Sequence, residues 1–173
     1  AGGRGGGGEA GRPASEREEG EGAGRVRVRT RLVGGMGEGR YGATSLDKLW
    51  FVGDRIVAVE TFGTDSAVVD LAVSAGGDAL VAVRGARAGL HRVVETADGF
   101  ETEVVLKGVD PWQIAVRGDE VWVATLETGL WRSEGGGAFV QYGERTQMSA
   151  VAVLDGEIWA ATADGRILDV DDD

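Results

Sequence analysis

The chain repeats one short pattern, and this repetition limits the folds open to it more than any other feature. Residues 114–125 have the sequence IAVRGDEVWVAT, and residues 151–162, which begin 37 positions later, have VAVLDGEIWAAT. A weaker copy at residues 71–83 begins 43 positions before the first of these. Each copy joins two apolar runs through a turn signal such as Gly118-Asp119, so each predicts two adjacent antiparallel strands.

A repeat of this length predicts a particular architecture. A period near 40 residues with several short strands per repeat is typical of β-propeller blades. In the second strand, Val121 and Val123 point to one face while Trp122 and Ala124 point to the other, so both faces are apolar and must be covered. We therefore expect an all-β fold of about three to four four-stranded blades, forming either a complete small ring or part of a larger propeller.

Composition divides the chain into two parts. Residues 1–24 are rich in Gly, Arg and Glu and contain no large apolar residue, so we expect a disordered tail there. Residues 25–173 are expected to form the blades. The expected repeats lie near residues 45–66, 67–107, 108–145 and 146–173. A further copy of the pattern at residues 49–59 begins only 22 positions before Leu71, which predicts a first blade without its outer strands.

Residues 25–32, with the sequence RVRVRTRL, alternate strictly and predict a strand with one apolar and one arginine face. The arginine face is either an anion-binding stripe or a solvated edge whose charges oppose sheet association, and we favour the second interpretation. Three ways to complete the ring stay open. This strand completes the C-terminal blade, the chain is a fragment of a larger propeller, or a homodimer joins two half-rings.

Charge and composition exclude several function classes. The net charge of −11 argues against nucleic acid, whose phosphates require a basic surface. Only Lys48 and Lys107 among the 18 basic residues are lysines, as in halophilic proteins and also in proteins from GC-rich genomes. The chain has no cysteine, and no apolar run approaches the roughly 18 residues of a membrane span. We therefore expect an acidic cytoplasmic protein that binds neither nucleic acid nor membrane.

Beyond the second strand, two copies continue in parallel. Residues 89–92 (GLHR) are matched by residues 129–132 (GLWR), and in both copies a glycine-containing turn follows. With these features the chain resembles β-propellers with Asp-box repeats, found in sialidases and related sensor or assembly-factor propellers, and more loosely those with WD-like repeats. Asp98 fits the Asp-box turn, whereas Phe100 stands where a glycine belongs, so the repeats are degenerate. The composition is similar to that of uncharacterised haloarchaeal propellers.

Residue types suited to catalysis are few. A sialidase needs an arginine cluster, a tyrosine nucleophile with an acidic partner and an acid catalyst, but Tyr41 and Tyr142 both lie outside the repeated pattern. The single histidine, His91, aligns with Trp131, which predicts a packing role rather than a triad or a metal cluster. The acidic residues 169–173 lack the glycine-shaped loop of a calcium site. We therefore expect no catalytic residue, metal site or cofactor.

The tryptophans suggest where a partner binds. Trp122 and Trp159 occupy the same repeat position, so we expect both in the core. Trp50 and Trp112 lie where blades are expected to begin, near a channel mouth, and are the candidate binding residues. We expect a non-catalytic propeller scaffold that binds a protein or a small polar ligand. The alternatives are a divergent glycoside-acting, sialidase-like hydrolase and a structural fragment of a larger propeller.

Overall fold

A computed structural model describes residues 32–35, 41–45, 47–52, 56–144 and 146–172. These residues form fifteen β-strands and contain no helix, which confirms the all-β prediction. It follows that none of the described segments is a helix able to span a membrane. The tail predicted at residues 1–24 lies outside the described residues, as does most of the strand predicted at residues 25–32.

The strands form four antiparallel sheets, named sheets A to D in chain order. Sheet A contains β1 (Leu32–Gly35), β2 (Tyr41–Ser45), β3 (Lys48–Val52) and β4 (Ile56–Thr61). Sheet B contains β5 (Ser66–Val73), β6 (Ala79–Gly85), β7 (Gly89–Thr96) and β8 (Gly99–Lys107). Sheet C contains β9 (Pro111–Arg117), β10 (Glu120–Thr125), β11 (Gly129–Glu134) and β12 (Val140–Tyr142). Sheet D contains β13 (Met148–Leu154), β14 (Glu157–Thr162) and β15 (Ile167–Asp169).

Each sheet is a simple meander, because its strands pair in chain order. The first strands of neighbouring sheets contact one another, β1 with β5, β5 with β9 and β9 with β13. The sheets are therefore stacked face to face in chain order, with their first strands side by side. This arrangement turns one edge of every sheet towards a shared inner region and leaves the later strands outside.

Apolar side chains fill each of the three boundaries between sheets. Phe51 and Phe62 are buried between sheets A and B, Leu106 and Val123 between sheets B and C, and Trp122 between sheets C and D. Both faces of β10 are thus covered, as its two apolar faces predicted. Burial on both sides also explains why the inner strands contain so many β-branched and small residues.

The structure corrects the assignment of the pattern at residues 49–59. Its described residues, 49–52 and 56–59, belong to β3 and β4, the third and fourth strands of sheet A, rather than to its first two. The prediction that this sheet lacks two strands was therefore wrong, because β1 and β2 precede them. Two apolar runs joined by a turn fit any adjacent strand pair of a buried sheet, so the pattern alone does not give the position of the pair.

The structure also bears on how the C-terminal sheet is completed. Leu32, the described end of the predicted arginine strand, pairs with Thr44 in sheet A. The strand β1, which contains Leu32, therefore belongs to the first sheet. Residues 25–31 of the predicted arginine strand lie outside the described residues, and completion of the last sheet through them stays an expectation. Sheet D has three strands among the described residues.

Candidate functional site

A cavity of about 360 Å³ lies between sheets B and C. Its apolar floor is formed by Leu80, Val105, Val121 and Phe139. Its polar rim is formed by Ser74, Asp78, Arg92 and Asp119, together with the turn at Gly135–Gly137. A cavity of this size lies in the range of ligand pockets and is roughly ten times the share of volume of one water molecule. We refer to it as the B–C cavity.

The glycine turn between β11 and β12 shapes one side of the mouth. Gly135 and Gly136 have φ angles of +60° and +73°, which L side chains rarely adopt, so the glycine-containing turn predicted after residues 129–132 is confirmed. The hydroxyl of Ser133 donates a hydrogen bond of 2.6 Å to the carbonyl oxygen of Gly137. The backbone N–H of Gly135 also donates to the carbonyl oxygen of Asp119, at 3.1 Å. These two bonds hold the turn in place beside the mouth.

Charged side chains complete the rim of the mouth. Arg92 Nε lies 3.9 Å from Asp78 Oδ2, and its Nη2 lies 3.4 Å from Glu103 Oε2. The Nε atom is buried, and the structure gives it no hydrogen-bond partner among the described residues. Asp119 adds a second carboxylate to the rim. The rim therefore has two carboxylates and one guanidinium group.

The same boundary one sheet further on explains why this cavity exists. In sheet C, Trp122 pairs with Arg132 on the neighbouring strand, and in sheet B the equivalent pair is Leu80 with Arg92. Trp122 is only 2% exposed and packs against sheet D. Leucine is much smaller than tryptophan. Trp122 fills its position between sheets C and D, whereas Leu80 fills the equivalent position between sheets B and C only in part and leaves a space.

A second difference leaves the mouth open. In the repeat, Ser74 of sheet B takes the place of Arg117 in sheet C. Arg117 donates to Glu120 at 2.7 Å and forms a two-pronged ion pair with Asp171, which closes the mouth between sheets C and D. Burial opposes ionisation of Glu120, but hydrogen bonds from Arg117 and Arg132 outweigh it and lower the pKa of this carboxyl. Ser74 is too short to make an equivalent bridge.

The two candidate binding residues from the sequence lie far apart in the sheet order. Trp112 is on β9, 40% exposed, with the guanidinium of Arg84 stacked 5.0 Å from its ring centroid. Arg84 in turn donates to both carboxylate oxygens of Asp110, at 2.7 and 2.6 Å. Trp50 is half-buried on β3, the third strand of sheet A, so the prediction that it lies where a blade begins was wrong. Sheet B lies between Trp50 and Trp112. Neither tryptophan lines the B–C cavity, and their role in binding stays a prediction.

His91 and the acidic C-terminal residues have structural contacts. His91 is 1% exposed, its Nε2 lies 2.8 Å from the carbonyl oxygen of Arg87, and burial lowers its pKa. The predicted packing role of His91 is therefore confirmed. Asp171 accepts from Arg117 and from the backbone N–H of Ile158. Within the described part of the chain, no three acidic or histidine side chains are grouped as metal ligands would be.

The residues around the cavity were missed because they are not repeated. Leu80 and Ser74 are distinctive only in an alignment of the repeats, where each is smaller than its equivalent, Trp122 or Arg117. The alignment was sufficient to find them, since both pairs lie within the copies at residues 71–83 and 114–125. Positions where a repeat is broken by a smaller residue were the available signal.

The stacked four-stranded meanders define the fold as a β-propeller, here a small or partial one, and solved structures agree. The chain is similar to a catalytically inactive variant of virginiamycin B lyase from Staphylococcus aureus with quinupristin. The TM-score is 0.59 and the identity 16%, over 87% of this chain and 56% of the lyase. It is equally similar to YCF48 bound to D1 peptide, with a TM-score of 0.59 and 15% identity over 82% of this chain and 50% of YCF48.

A third similar structure is a protein of unknown function from Bacteroides caccae, with a TM-score of 0.51 and 14% identity, covering 80% of this chain and 59% of that one. This chain thus spans about half the length of the propellers it matches. No protein-family model matches it, and no curated protein is similar to it in sequence. Asp-box repeats and a haloarchaeal origin therefore stay predictions.

Proposed function

We propose that the chain is a non-catalytic propeller module that binds a segment of a partner protein across the B–C cavity. The observation that supports this most is the combination of an apolar floor with a charged rim, set between two packed sheets. Such a site suits a peptide, because one apolar side chain of the peptide can contact the floor while the peptide backbone and the neighbouring polar side chains stay at the rim.

A small polar ligand fits the cavity less well. Four apolar side chains form the floor, and at the rim the Ser133 hydroxyl already donates to the carbonyl oxygen of Gly137. A small polar ligand would therefore meet apolar side chains at the floor, and its polar groups could form hydrogen bonds only at the rim. A peptide avoids this mismatch by inserting only one apolar side chain.

The similar structures support a protein partner. YCF48, which shares the fold of this chain at 15% identity, has been solved bound to D1 peptide. Propeller loops are a common place for recognition because a rigid scaffold positions them. We infer a protein partner for this chain from the fold and the cavity together.

Selection from a random peptide library on the immobilised chain tests the proposal, followed by calorimetric titration of a synthetic peptide. We expect enriched peptides to shift the NMR resonances of Val105 and Val121 at the cavity floor. The variant Ser74→Arg, which introduces the side chain found at Arg117, is expected to abolish binding. The matched control Trp112→Ala removes the other candidate site and is expected to leave binding unchanged.

Two outcomes of this selection contradict the proposal. The first is that no peptide is enriched. The second is that Trp112→Ala abolishes binding while Ser74→Arg leaves it unchanged, because the partner would then contact the surface around Arg84 and Trp112 instead.

A glycoside-acting enzyme is the second candidate, and one observation favours it. Asp78 and Asp119 line the same cavity, and glycosidases use a pair of carboxylates across the scissile bond. Turnover of fluorogenic glycosides that disappears in Asp78→Asn and Asp119→Asn would establish this function. We expect no turnover.

Self-association is a further part of the proposal. On β14, Ile158 and Ala160 pack against sheet C, so Trp159 and Ala161 lie on the opposite face of sheet D. Ile167, paired with Ala161, is 72% exposed. We propose that a second copy of the chain covers this face and completes the ring. Light scattering after size exclusion, at low and at molar salt, tests this, and a monomer at every concentration and salt level would refute it.

A further inference from the structure

We propose that the B–C cavity receives an aromatic side chain, seated beneath Arg92, from a partner segment whose flanking residues are basic. This inference depends on the proposed function and deepens it by naming the chemistry of the residue that binds. It follows from a comparison of two boundaries within the same molecule.

The boundary between sheets C and D contains the arrangement that the partner would reproduce. The guanidinium of Arg132 lies 5.5 Å from the ring centroid of Trp122, within the distance of a cation–π interaction. The ring of Tyr142 contacts Trp122 edge to face, with centroids 5.0 Å apart. At the boundary between sheets C and D, the chain thus places an aromatic ring of its own beneath an arginine.

The boundary between sheets B and C keeps the arginine and lacks the tryptophan. Arg92 pairs with Leu80 as Arg132 pairs with Trp122. The B–C cavity begins at Leu80, and Arg92 lies on its rim. An aromatic face beneath the guanidinium of Arg92 would give it the cation–π contact that Arg132 has with Trp122.

The charge at the mouth indicates which residues flank the aromatic one. Asp78 and Asp119 line the rim, and Arg92, the only cation among the described residues that line it, already lies near Asp78 and Glu103. The whole chain has a net charge of −11. Basic residues on either side of the anchor would therefore be attracted to the rim, whereas acidic ones would be repelled.

The first test uses single amino acids as probes. N-acetyl-tryptophan amide and N-acetyl-leucine amide are titrated into the isotope-labelled chain, and methyl resonances of Val105 and Val121 are followed by NMR. We expect the tryptophan probe to shift these resonances and to bind about fivefold more tightly than the leucine probe, the difference that a cation–π contact supplies. Equal affinities, or shifts elsewhere in the protein only, would overturn the inference.

Variants separate the anchor from the fold. Leu80→Trp fills the cavity with an indole ring like that of Trp122. It is expected to lower the affinity for the tryptophan probe about tenfold or more. Leu154→Trp is the matched control, since Leu154 is an exposed residue on sheet D, and it is expected to bind as the parent chain does. If Leu80→Trp fails to fold, Ser74→Arg at the mouth provides the same test.

Arg92→Lys keeps the charge and removes the planar guanidinium. This variant is expected to lower the affinity for the tryptophan probe severalfold and to leave the affinity for the leucine probe unchanged. An equal loss for both probes would indicate that Arg92 only maintains the cavity, and the stacking part of the inference would be wrong.

Flanking charge is tested with two peptides, acetyl-Lys-Trp-Lys-amide and acetyl-Glu-Trp-Glu-amide. We expect the lysine peptide to bind more tightly, with a difference that shrinks as salt is added. Failure of this inference is distinguishable from failure of the proposed function. Library peptides that occupy the cavity without an aromatic residue would overturn the inference alone, whereas the absence of any bound peptide would overturn the proposed function.

Discussion

The Oδ2 atom of Asp70 accepts a hydrogen bond of 2.7 Å from the backbone N–H of Ile114 and so joins the first strands of sheets B and C. The same connection recurs one sheet later, where Oε1 of Gln113 accepts from the backbone N–H of Val151 at 3.1 Å. Asp70 and Gln113 each directly precede a copy of the repeated pattern. The link between sheets is thus part of the repeat, although the two residues differ in type.

We expect Asp70→Ala to lower the free energy of unfolding by about 1–3 kcal/mol, because it leaves a part-buried N–H without its acceptor. Gln113→Ala is expected to have an effect of similar size through the loss of the bond to Val151. Urea unfolding followed by tryptophan fluorescence measures both. Asp98→Ala, in an exposed turn of sheet B, is the control and should change stability by less than about 0.5 kcal/mol. An Asp70 variant as stable as this control would show that the link is not stabilising.

Stability should depend on pH through His91. Burial lowers the pKa of this imidazole below its ordinary value of 6.5, so the unfolded chain binds a proton more readily than the folded chain. The contribution of His91 is therefore present above pH 6.5 and is lost as the pH falls from there through the folded pKa. Urea midpoints measured across this range should fall on acidification, and less steeply in His91→Gln. Parallel curves for the two proteins would contradict this account.

Two glycines with similar backbone angles should respond differently to substitution. Gly85 and Gly77 have φ angles of +93° and +87°, so alanine is strained at both by about 1–2 kcal/mol. A Cβ at Gly85 would also lie 2.1 Å from the carbonyl oxygen of Asp65, whereas one at Gly77 would meet no atom within 4 Å. Gly85→Ala should therefore be clearly more destabilising than Gly77→Ala in thermal unfolding. Equal losses would mean that the backbone at Asp65 moves aside freely.

These contacts show how far the sequence alone can lead. Its repeats predicted an all-β fold, a buried Trp122 and a packed His91, because two-sided apolar strands and repeated positions have few other solutions. The same argument placed Trp159 in the core, which was wrong, because Trp159 is only half-buried and lies on the face of sheet D away from sheet C. The position of residues 49–59 within sheet A was not predictable, since β1 and β2 carry too weak a pattern to be counted. The link from Asp70 to Ile114 was equally hidden, because a single polar residue before a strand does not reveal an acceptor for the next sheet.

The candidate site was missed for a different reason. A cavity is the space left when a side chain is smaller than its equivalents, so its signature is a difference between copies and not a motif. Leu80 is unremarkable as an apolar strand residue and gains meaning only beside Trp122. The sequence pointed instead to Trp50 and Trp112, because a large aromatic side chain that is present can be seen in a sequence and a missing one cannot.

The comparison between the two boundaries can be reversed within the chain itself. Trp122→Leu should create a space like the B–C cavity between sheets C and D, because it places at residue 122 the leucine that sheet B has at the equivalent position, Leu80. We expect a loss of about 2–4 kcal/mol in the free energy of unfolding, as for other large-to-small changes in a packed core. Urea unfolding measures this loss, and NMR titration with N-acetyl-tryptophan amide detects a second site through Ile158 and Val151.

The closed mouth provides the control for this experiment. Arg117 and Asp171 still bridge the boundary between sheets C and D in Trp122→Leu. The probe should therefore bind slowly or weakly in the new space until Arg117→Ser is added. The double variant then carries at sheet C the two residues that sheet B has at Ser74 and Leu80. Tight binding of the probe to both boundaries of the double variant would show that these two positions decide whether a boundary accepts an aromatic side chain. Binding that stays confined to the B–C cavity would show that other residues of sheet B are required.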